Sequence, residues 1–425
     1  MLFWKIIYNT VFVPVMWFGL QLLALFNKKI MRGIEGRKDL FEHLQHQVSS
    51  LHAPVRLWFH SSSLGEFEQA KPIIHTIKNK YPTVDIVATF FSPSGYDHSK
   101  NYKYVDCISY IPFDSRSNAE RFISVLQPTA AIMVRYDIWP NIIWRLHQEG
   151  IPIFIANATM KESSLRSLPL VKQFHTSLYS NFSHILTVSH NDKKLFESFN
   201  PHQTKIEVVG DSRFDQVVVR SEEAKTKTLL PSHIVHGKKI FIVGQSWEED
   251  EEVILPVLTK MQSLDDTLLT IIVPHEPTID HLDQLESQLE SNTSVIRFSE
   301  INNYNGENVI LIDSVGVLFS LYKYAHVVYI GGSFRQGIHN VLEPAVFGVP
   351  VIYGPKHTNS QEAVALSEKG GGFVINDENE LFRILRMLLD EIETRYKAGK
   401  IAQSFVHENC GATERFLTYL DPYLH

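Results

Sequence analysis

The stretch "WFHSSSLGEFEQ", Trp58–Gln69, leaves an apolar run, passes three serines and a glycine, and sets Glu66 where a helix should begin. Ser63 and Glu66 stand in S-x-x-E spacing, the pattern of a capping box, in which the carboxylate folds back onto backbone N–H groups. The same carboxylate, turned toward a ligand, is a base that takes a proton from a hydroxyl, and for that it needs exposure in a cleft and direct reach. Gly65 costs helix propensity at the first turn and permits close approach of a ligand. Glu68 is a second candidate, turned roughly 200° from Glu66 by helical geometry.

A second chemistry-bearing stretch is "YIGGSFRQGIHNVLEPAVFGVPVIYGP", Tyr329–Pro355. A strand ends at Gly331-Gly332, a loop holds Gly337, His339 and Asn340, and a helix follows with Glu343 in it. Glycines at a strand end followed by a helix N-terminus form an anion site, because amide N–H groups converge there and the helix dipole is positive. A mono- or diphosphate suits that loop, and Glu343 suits ribose hydroxyls. The plainer alternative is a tight turn capped by Asn340. "SWEEDEE", 246–252, is a poor metal site, since consecutive acids point around a helix; acids in a first turn favour the helix dipole instead.

The elements that must carry these residues are legible as apolar runs. "VRLWF" (55–59), "VDIVATF" (84–90), "AAIMV" (130–134), "IPIFI" (151–155), "HILTV" (184–188) and "IEVVG" (206–210) lack period-two alternation, the mark of parallel strands buried on both faces. Amphipathic segments such as 118–126 and 191–199 separate them, in the rhythm of a doubly wound α/β fold. A polar stretch, 221–239, interrupts that rhythm, which restarts with 240–244, 267–274, 308–312, 326–332 and 349–354. Two α/β domains follow, with a boundary in 211–238 and the ligand expected in the cleft between them. The last segment, from Glu393 to Leu420, looks helical.

The chain has 425 residues, 44% apolar and 20% charged, with a net charge of -7. That is a globular chain and not a general nucleic-acid binder. Cys107 and Cys410 have no metal-ligand spacing and form no disulfide framework. Thr10–Phe26 carries no charge over 17 residues, and Lys28, Lys29, Arg32, Arg37 and Lys38 follow it. The run is near the lower limit for a spanning helix. Trp4, Tyr8 and Trp17 suit a membrane interface, and the basic residues behind the run keep the body cytoplasmic. The reading is a membrane anchor; the alternative is an amphipathic or buried helix that never touches lipid.

"HNVLEPAVFGVPVIYGP" resembles the nucleotide-binding region of glycosyltransferases with two facing Rossmann-like domains, the GT-B type. With "HSSSLGEFEQAKPII", "YDIWPN" (136–141), "GDSRFD" (210–215), "GQSWEEDEE" (244–252), "VPHEP" (273–277) and "IDSVGVL" (312–318), the chain resembles the 3-deoxy-D-manno-octulosonic acid (Kdo) transferases of lipopolysaccharide synthesis. The resemblance implies inverting transfer of Kdo from CMP-Kdo to a lipid A precursor, with no metal or cofactor, at the cytoplasmic face of the inner membrane. It implies Glu66 as the base and Asp137 as the acid of an acidic motif whose first acid is replaced here by Arg135. Arg135 would then pair with a substrate acid or with Asp137. Arg213 stands where a cation stabilises the departing CMP phosphate. The donor set is Pro274, His275, Val315, Gly316, Val317, Asn340, Val341, Leu342 and Glu343. Val315 and Val317 are otherwise read as core residues whose backbone alone need touch nucleotide, and His339 as a loop histidine. The expected division is an anchor in 1–30, an acceptor domain in 31–212, a CMP-sugar domain in 213–400 and a C-terminal helix in 401–425 that packs back on the acceptor domain. Two rivals stand beside this reading: a UDP-sugar-dependent transferase, and a catalytically inactive membrane-bound nucleotide-sugar binder.

Overall fold

The computed structural model describes all residues except 1, 161–165, 167, 200, 202, 291 and 292, and the side chain of 290. The chain forms two compact units, Met1–Gln216 with Cys410–His425, and Val217–Asn409. The first boundary falls inside the helix Ser212–Lys225, so Arg213 belongs to the first unit and not to the second. The return also comes later than expected. One helix runs unbroken from Ile392 to Glu408, and only at Gly411, with φ 96°, does the chain turn into a separate helix, Ala412–Leu420. A positive φ is cheap for glycine and costly for other residues. The Asp215 carboxylate fixes this turn by accepting from the Gly411 and Thr413 amides at 2.6 and 2.7 Å.

The first unit is built on seven parallel strands: β1 (Arg56–Ser61), β2 (Asp85–Phe90), β3 (Cys107–Tyr110), β4 (Ala130–Val134), β5 (Ile153–Ala158), β6 (His184–Thr187) and β7 (Lys205–Val208), in the order β3-β2-β1-β4-β5-β6-β7. The second has β8 (Lys239–Ser246), β9 (Leu268–Pro274), β10 (Val295–Arg297), β11 (Val309–Leu311), β12 (Val327–Ile330), β13 (Val351–Tyr353) and β14 (Gly372–Val374), in the order β10-β11-β9-β8-β12-β13-β14. Strand β1 explains the uninterrupted apolar runs. Leu57 and Phe59 pack into the core on one face of the sheet, Trp58 into the core on the other, and none is more than 1% exposed. Strands β3, β10 and β14 were not among the expected runs; all three are short and lie at sheet edges.

Both orders have a topological switch, where successive crossovers run in opposite directions: β1 beside β4 in the first unit, β8 beside β12 in the second. Loops diverge there at the carboxyl ends of the strands and leave room for a ligand. The fold is thus of the two-sheet GT-B class. The chain begins with a helical segment, Leu2–Ala24, that is 23 residues long, reaches mean hydropathy 1.6 over an 18-residue window and contains one wider turn at Tyr8–Phe12.

Candidate active site

In the first unit the switch brings together the end of β1 and the end of β4. Helix Leu64–Lys80 starts directly after β1, with Glu66 in its first turn. Glu66 is 7% exposed, and its Oε2 accepts from the Ser63 amide at 2.8 Å and the Ser63 hydroxyl at 3.0 Å. The expectation of a solvent-facing carboxylate is therefore corrected. The reciprocal cap folds Glu66 back over the helix start, because the first amides of a helix have no partner of their own. Its second oxygen, Oε1, has no hydrogen-bond partner among the described residues. Glu68 pairs instead with Lys71 and with Gln216.

Asp137, beyond β4, meets His60 of β1. His60 is fully buried, and its Nε2 lies 2.6 Å from Asp137 Oδ2; the Ser62 hydroxyl donates to the same oxygen. Trp139 Nε1 lies 2.9 Å from His60 Nε2 and 3.4 Å from Asp137 Oδ2. Nε2 cannot both donate to Asp137 and accept from Trp139, and the short approach to a carboxylate makes it the donor. Thr89 Oγ1 holds the other ring nitrogen at 2.9 Å and accepts from Trp58 Nε1. Burial pushes the Asp137 carboxyl up. The His60 charge and the hydrogen bonds from His60, Ser62 and Trp139 outweigh it, leaving Asp137 below the usual carboxylate range.

Arg135 does not pair with Asp137. Its guanidinium lies 5.4 Å from the Tyr136 ring centroid, its Nε is buried with no hydrogen-bond partner among the described residues, and its backbone takes φ 66°. Arg213 binds its neighbour Asp211, with Nε at 2.8 Å and Nη2 at 2.6 Å from Oδ2, and remains 42% exposed.

In the second unit the ends of β8, β9 and β12 converge. Pro274 closes β9 and His275 follows, its ring tilted against Trp247 at 4.4 Å and stacked on His339 at 4.5 Å. Arg335 lies over the Trp247 ring at 4.0 Å. Burial, with a smaller push from His275, lowers His339 to about 4, so its Nε2 is unprotonated at neutral pH and accepts from Trp247 Nε1 at 3.1 Å. His339 is thus more than a loop residue, and the Trp247–His275–His339 cluster carried no signal in sequence spacing.

Three expectations for the second unit are corrected. The amides of Gly331 and Gly332 are not free for an anion: they donate to Gly244 O (2.9 Å) and Asp250 Oδ2 (2.7 Å). Gly331 is required because any Cβ there would lie 2.2 Å from Gln245 O. Asp250 also accepts from Tyr329 OH at 2.7 Å, so this acid ties helix Glu248–Gln262 to β12. The helix after the loop is the single turn Leu342–Ala345, too short for a sizeable dipole. What the loop does offer is the Asn340 and Val341 amides, which donate to no group among the described residues, while Asn340 Oδ1 accepts from Leu342 N. Glu343 Oε1 accepts from Arg220 Nη1 at 3.1 Å, and Arg220 rests over Phe319 at 4.0 Å. Third, Val315 is 82% exposed and so is no core residue; Gly316 beside it takes φ 85°, and Val317 precedes the short helix Leu318–Leu321. Val341 and Leu342 are each 1% exposed.

Residues 35–216 match the family model described as 3-deoxy-D-manno-octulosonic-acid transferase. The 3-deoxy-D-manno-octulosonic acid transferase of Haemophilus influenzae is 28% identical over 379 residues, 87% of this chain and 88% of that one. The chain is a homologue of the Kdo transferases. It is accordingly an enzyme of the glycosyltransferase class, and the match continues beyond the residues of the family model into the second unit. The Kdo transferase of Aquifex aeolicus is 27% identical over 83% of this chain and 92% of that one. Among solved structures, UDP-GlcNAc 2-epimerase from Neisseria meningitidis bound to UDP-GlcNAc superposes with a TM-score of 0.61 at 16% identity, covering 86% of this chain and 99% of that one. That likeness concerns the fold alone. Among the described residues no group of three or more His, Cys, Asp or Glu side chains is arranged to hold a metal ion.

Proposed function

We propose that this protein transfers Kdo from CMP-Kdo to a lipid A precursor, with inversion and without a metal, at the cytoplasmic face of the inner membrane. The observation that carries the chemistry is the Glu66 carboxylate at the carboxyl end of β1, with Oε2 fixed by Ser63 and Oε1 unpaired among the described residues. A carboxylate held by one oxygen has its other oxygen oriented for proton transfer. In this reading Oε1 takes the proton of an acceptor hydroxyl as its oxygen attacks the anomeric carbon of Kdo, and the bond to the CMP phosphate breaks.

Asp137, held ionised by His60 and Ser62, binds acceptor hydroxyls. Arg135 contacts a substrate acid group. The departing phosphate is assigned to the Asn340 and Val341 amides and to the Arg213 cation. A nucleoside monophosphate leaves with less charge than a diphosphate, so such groups suffice to neutralise it. Pro274 and His275, and the backbone at Val315, Gly316 and Val317, border the donor, and Leu342 fixes the Asn340 loop. Glu343, steadied by Arg220, takes the ribose hydroxyls. The acceptor role goes to the first unit and the CMP-sugar role to the second.

The test is a transfer assay with CMP-Kdo and purified lipid A precursor, the product weighed by mass spectrometry. A product heavier by one or more Kdo residues supports the reading. Protection by UDP but not by CMP would overturn the donor assignment, and no turnover with bound CMP-Kdo would leave a binder.

A further inference from the structure

The N-terminal segment is long enough to cross a bilayer: 23 helical residues rise about 35 Å against a hydrocarbon thickness of about 30 Å. Its attachments forbid that use. Near one end, Tyr8 OH donates to Asp114 Oδ2 at 2.8 Å, and the Asn9 and Asn141 side-chain amides bond each other in both directions at 2.9 and 3.0 Å. Asp114 and Asn141 are 0% and 5% exposed, so these bonds dock the helix on the interior of the first unit and not on a surface loop. Trp4 packs on Phe174, and Tyr8 on Trp144. Farther along, Leu20 shares a recess of about 160 Å³ with Gly33, Arg37, Phe91, Pro93 and Phe113. Beyond the helix, Arg37 donates to the carbonyls of Gly33, Phe91 and Ile111 at 2.6 to 2.8 Å and ties the next helix, Lys28–Glu35, to the same unit. The start of the N-terminal helix and the segment that follows it are therefore held by one unit, on one side of any bilayer. The stretch between Asn9 and Ala24 rises only about 23 Å, short of the roughly 30 Å that crossing needs.

The opposite side of the helix is bare. Val11, Val15, Phe18, Leu22 and Leu25, at helical spacing, are 52 to 75% exposed, and Phe26 is 84% exposed. An isolated helix lying in a membrane surface needs a polar face of its own; here the opposite side, with Val13, Met16 and Leu20, is partly covered by the protein. Lys28 and Lys29 follow the stripe, and both are exposed.

We propose that this segment lies in the plane of one leaflet, its bare stripe among the acyl chains and Lys28 and Lys29 on anionic phospholipid headgroups, instead of crossing the bilayer. The proposal rests on the membrane localisation proposed above and specifies its geometry. The occupant of the stripe is a leaflet containing phosphatidylglycerol or an equivalent anionic lipid. Apolar side chains in this number match acyl chains, and cations at the end of the stripe match phosphate.

The experiment uses the full chain with a short epitope fused before Met1, reconstituted in sealed phosphatidylcholine vesicles with and without phosphatidylglycerol. Digestion of the epitope by external protease in step with the catalytic body is expected; an epitope spared wherever the body is digested, and lost only with detergent, means a crossing helix and overturns the proposal. Failure of the protein to float with any vesicle overturns the membrane localisation itself. Flotation should rise about tenfold when phosphatidylglycerol is included, from two lysines at about 1 kcal/mol each less screening; equal flotation removes the anionic partner. The exposed triple variant Val15→Asp, Phe18→Asp and Leu22→Asp should lose flotation at least tenfold while its melting temperature stays that of wild type, and unchanged flotation shows that the stripe is not the lipid contact.

Discussion

The Ser63 amide and hydroxyl both donate to one oxygen of Glu66, at 2.8 and 3.0 Å. This relationship makes a cap and a base compatible in one carboxylate, and it separates the two roles experimentally. Glutamine at the third helical position still completes a capping box. Glu66→Gln should therefore keep the melting temperature and lower transfer about 10²- to 10⁴-fold, the range of a general base. Glu66→Ala should lose the same activity together with about 1 kcal/mol of stability. Initial rates and thermal melts on the three proteins check this, and wild-type turnover by Glu66→Gln would remove Glu66 from the chemistry.

Arg135 holds a left-handed backbone that costs a non-glycine residue about 1 kcal/mol or more, and its Nε is buried without a partner among the described residues. Arg135→Gly should raise the melting temperature while raising KM for the acceptor. Such opposite movement is the mark of a side chain retained for binding. A glycine variant that is more stable and kinetically unchanged would leave Arg135 without a role in the acceptor site.

His339 is neutral in the folded protein because burial, and to a lesser degree His275, lowers its pKa to about 4 from about 6.5. A depressed pKa in a base means that the unfolded chain takes up the proton first as pH falls. Stability is thus fully present above about pH 6.5 and is lost progressively down to about pH 4. Chemical denaturation of wild type and His339→Asn from pH 7.5 to 4 should show the wild type losing its advantage in that window, by at most a few kcal/mol. Parallel curves would mean that the ring stays protonated or solvated in the fold.

Arg220 steadies Glu343 at 3.1 Å while stacked on Phe319. Arg220→Met keeps much of the apolar packing and removes the hydrogen bond that orients the carboxylate. CMP affinity, read by calorimetry, should fall about tenfold, which corresponds to about 1.4 kcal/mol. Cytosine alone, which lacks ribose, should bind both proteins equally; an equal loss for cytosine would mean general disruption of the site.

Much of the architecture is written in local chemistry. Parallel strands buried on both faces need unbroken apolar runs, so β1, β4 and β9 stand out, whereas the short edge strands β3, β10 and β14 do not. The glycine pair at 331–332 was legible as a special backbone site, but its purpose was misread. It admits the Gln245 backbone and donates to Asp250, and neither partner is close to it in sequence.

The sequence by itself determined the two-sheet α/β class, the helix start at Glu66, the apolar N-terminal segment and the kinship with Kdo transferases, because each depends on residues adjacent in the chain or on their order. Only the tertiary structure decided that His60 holds Asp137, that Trp247, His275 and His339 form one cluster, that Arg135 stands apart from Asp137, and that the N-terminal helix is docked on the body through Tyr8 and Asn9. Those relations join residues up to 132 positions apart, as Asn9 and Asn141 are. The order of strands at each topological switch and the packing of helices upon them set these distances, and no local pattern encodes that order.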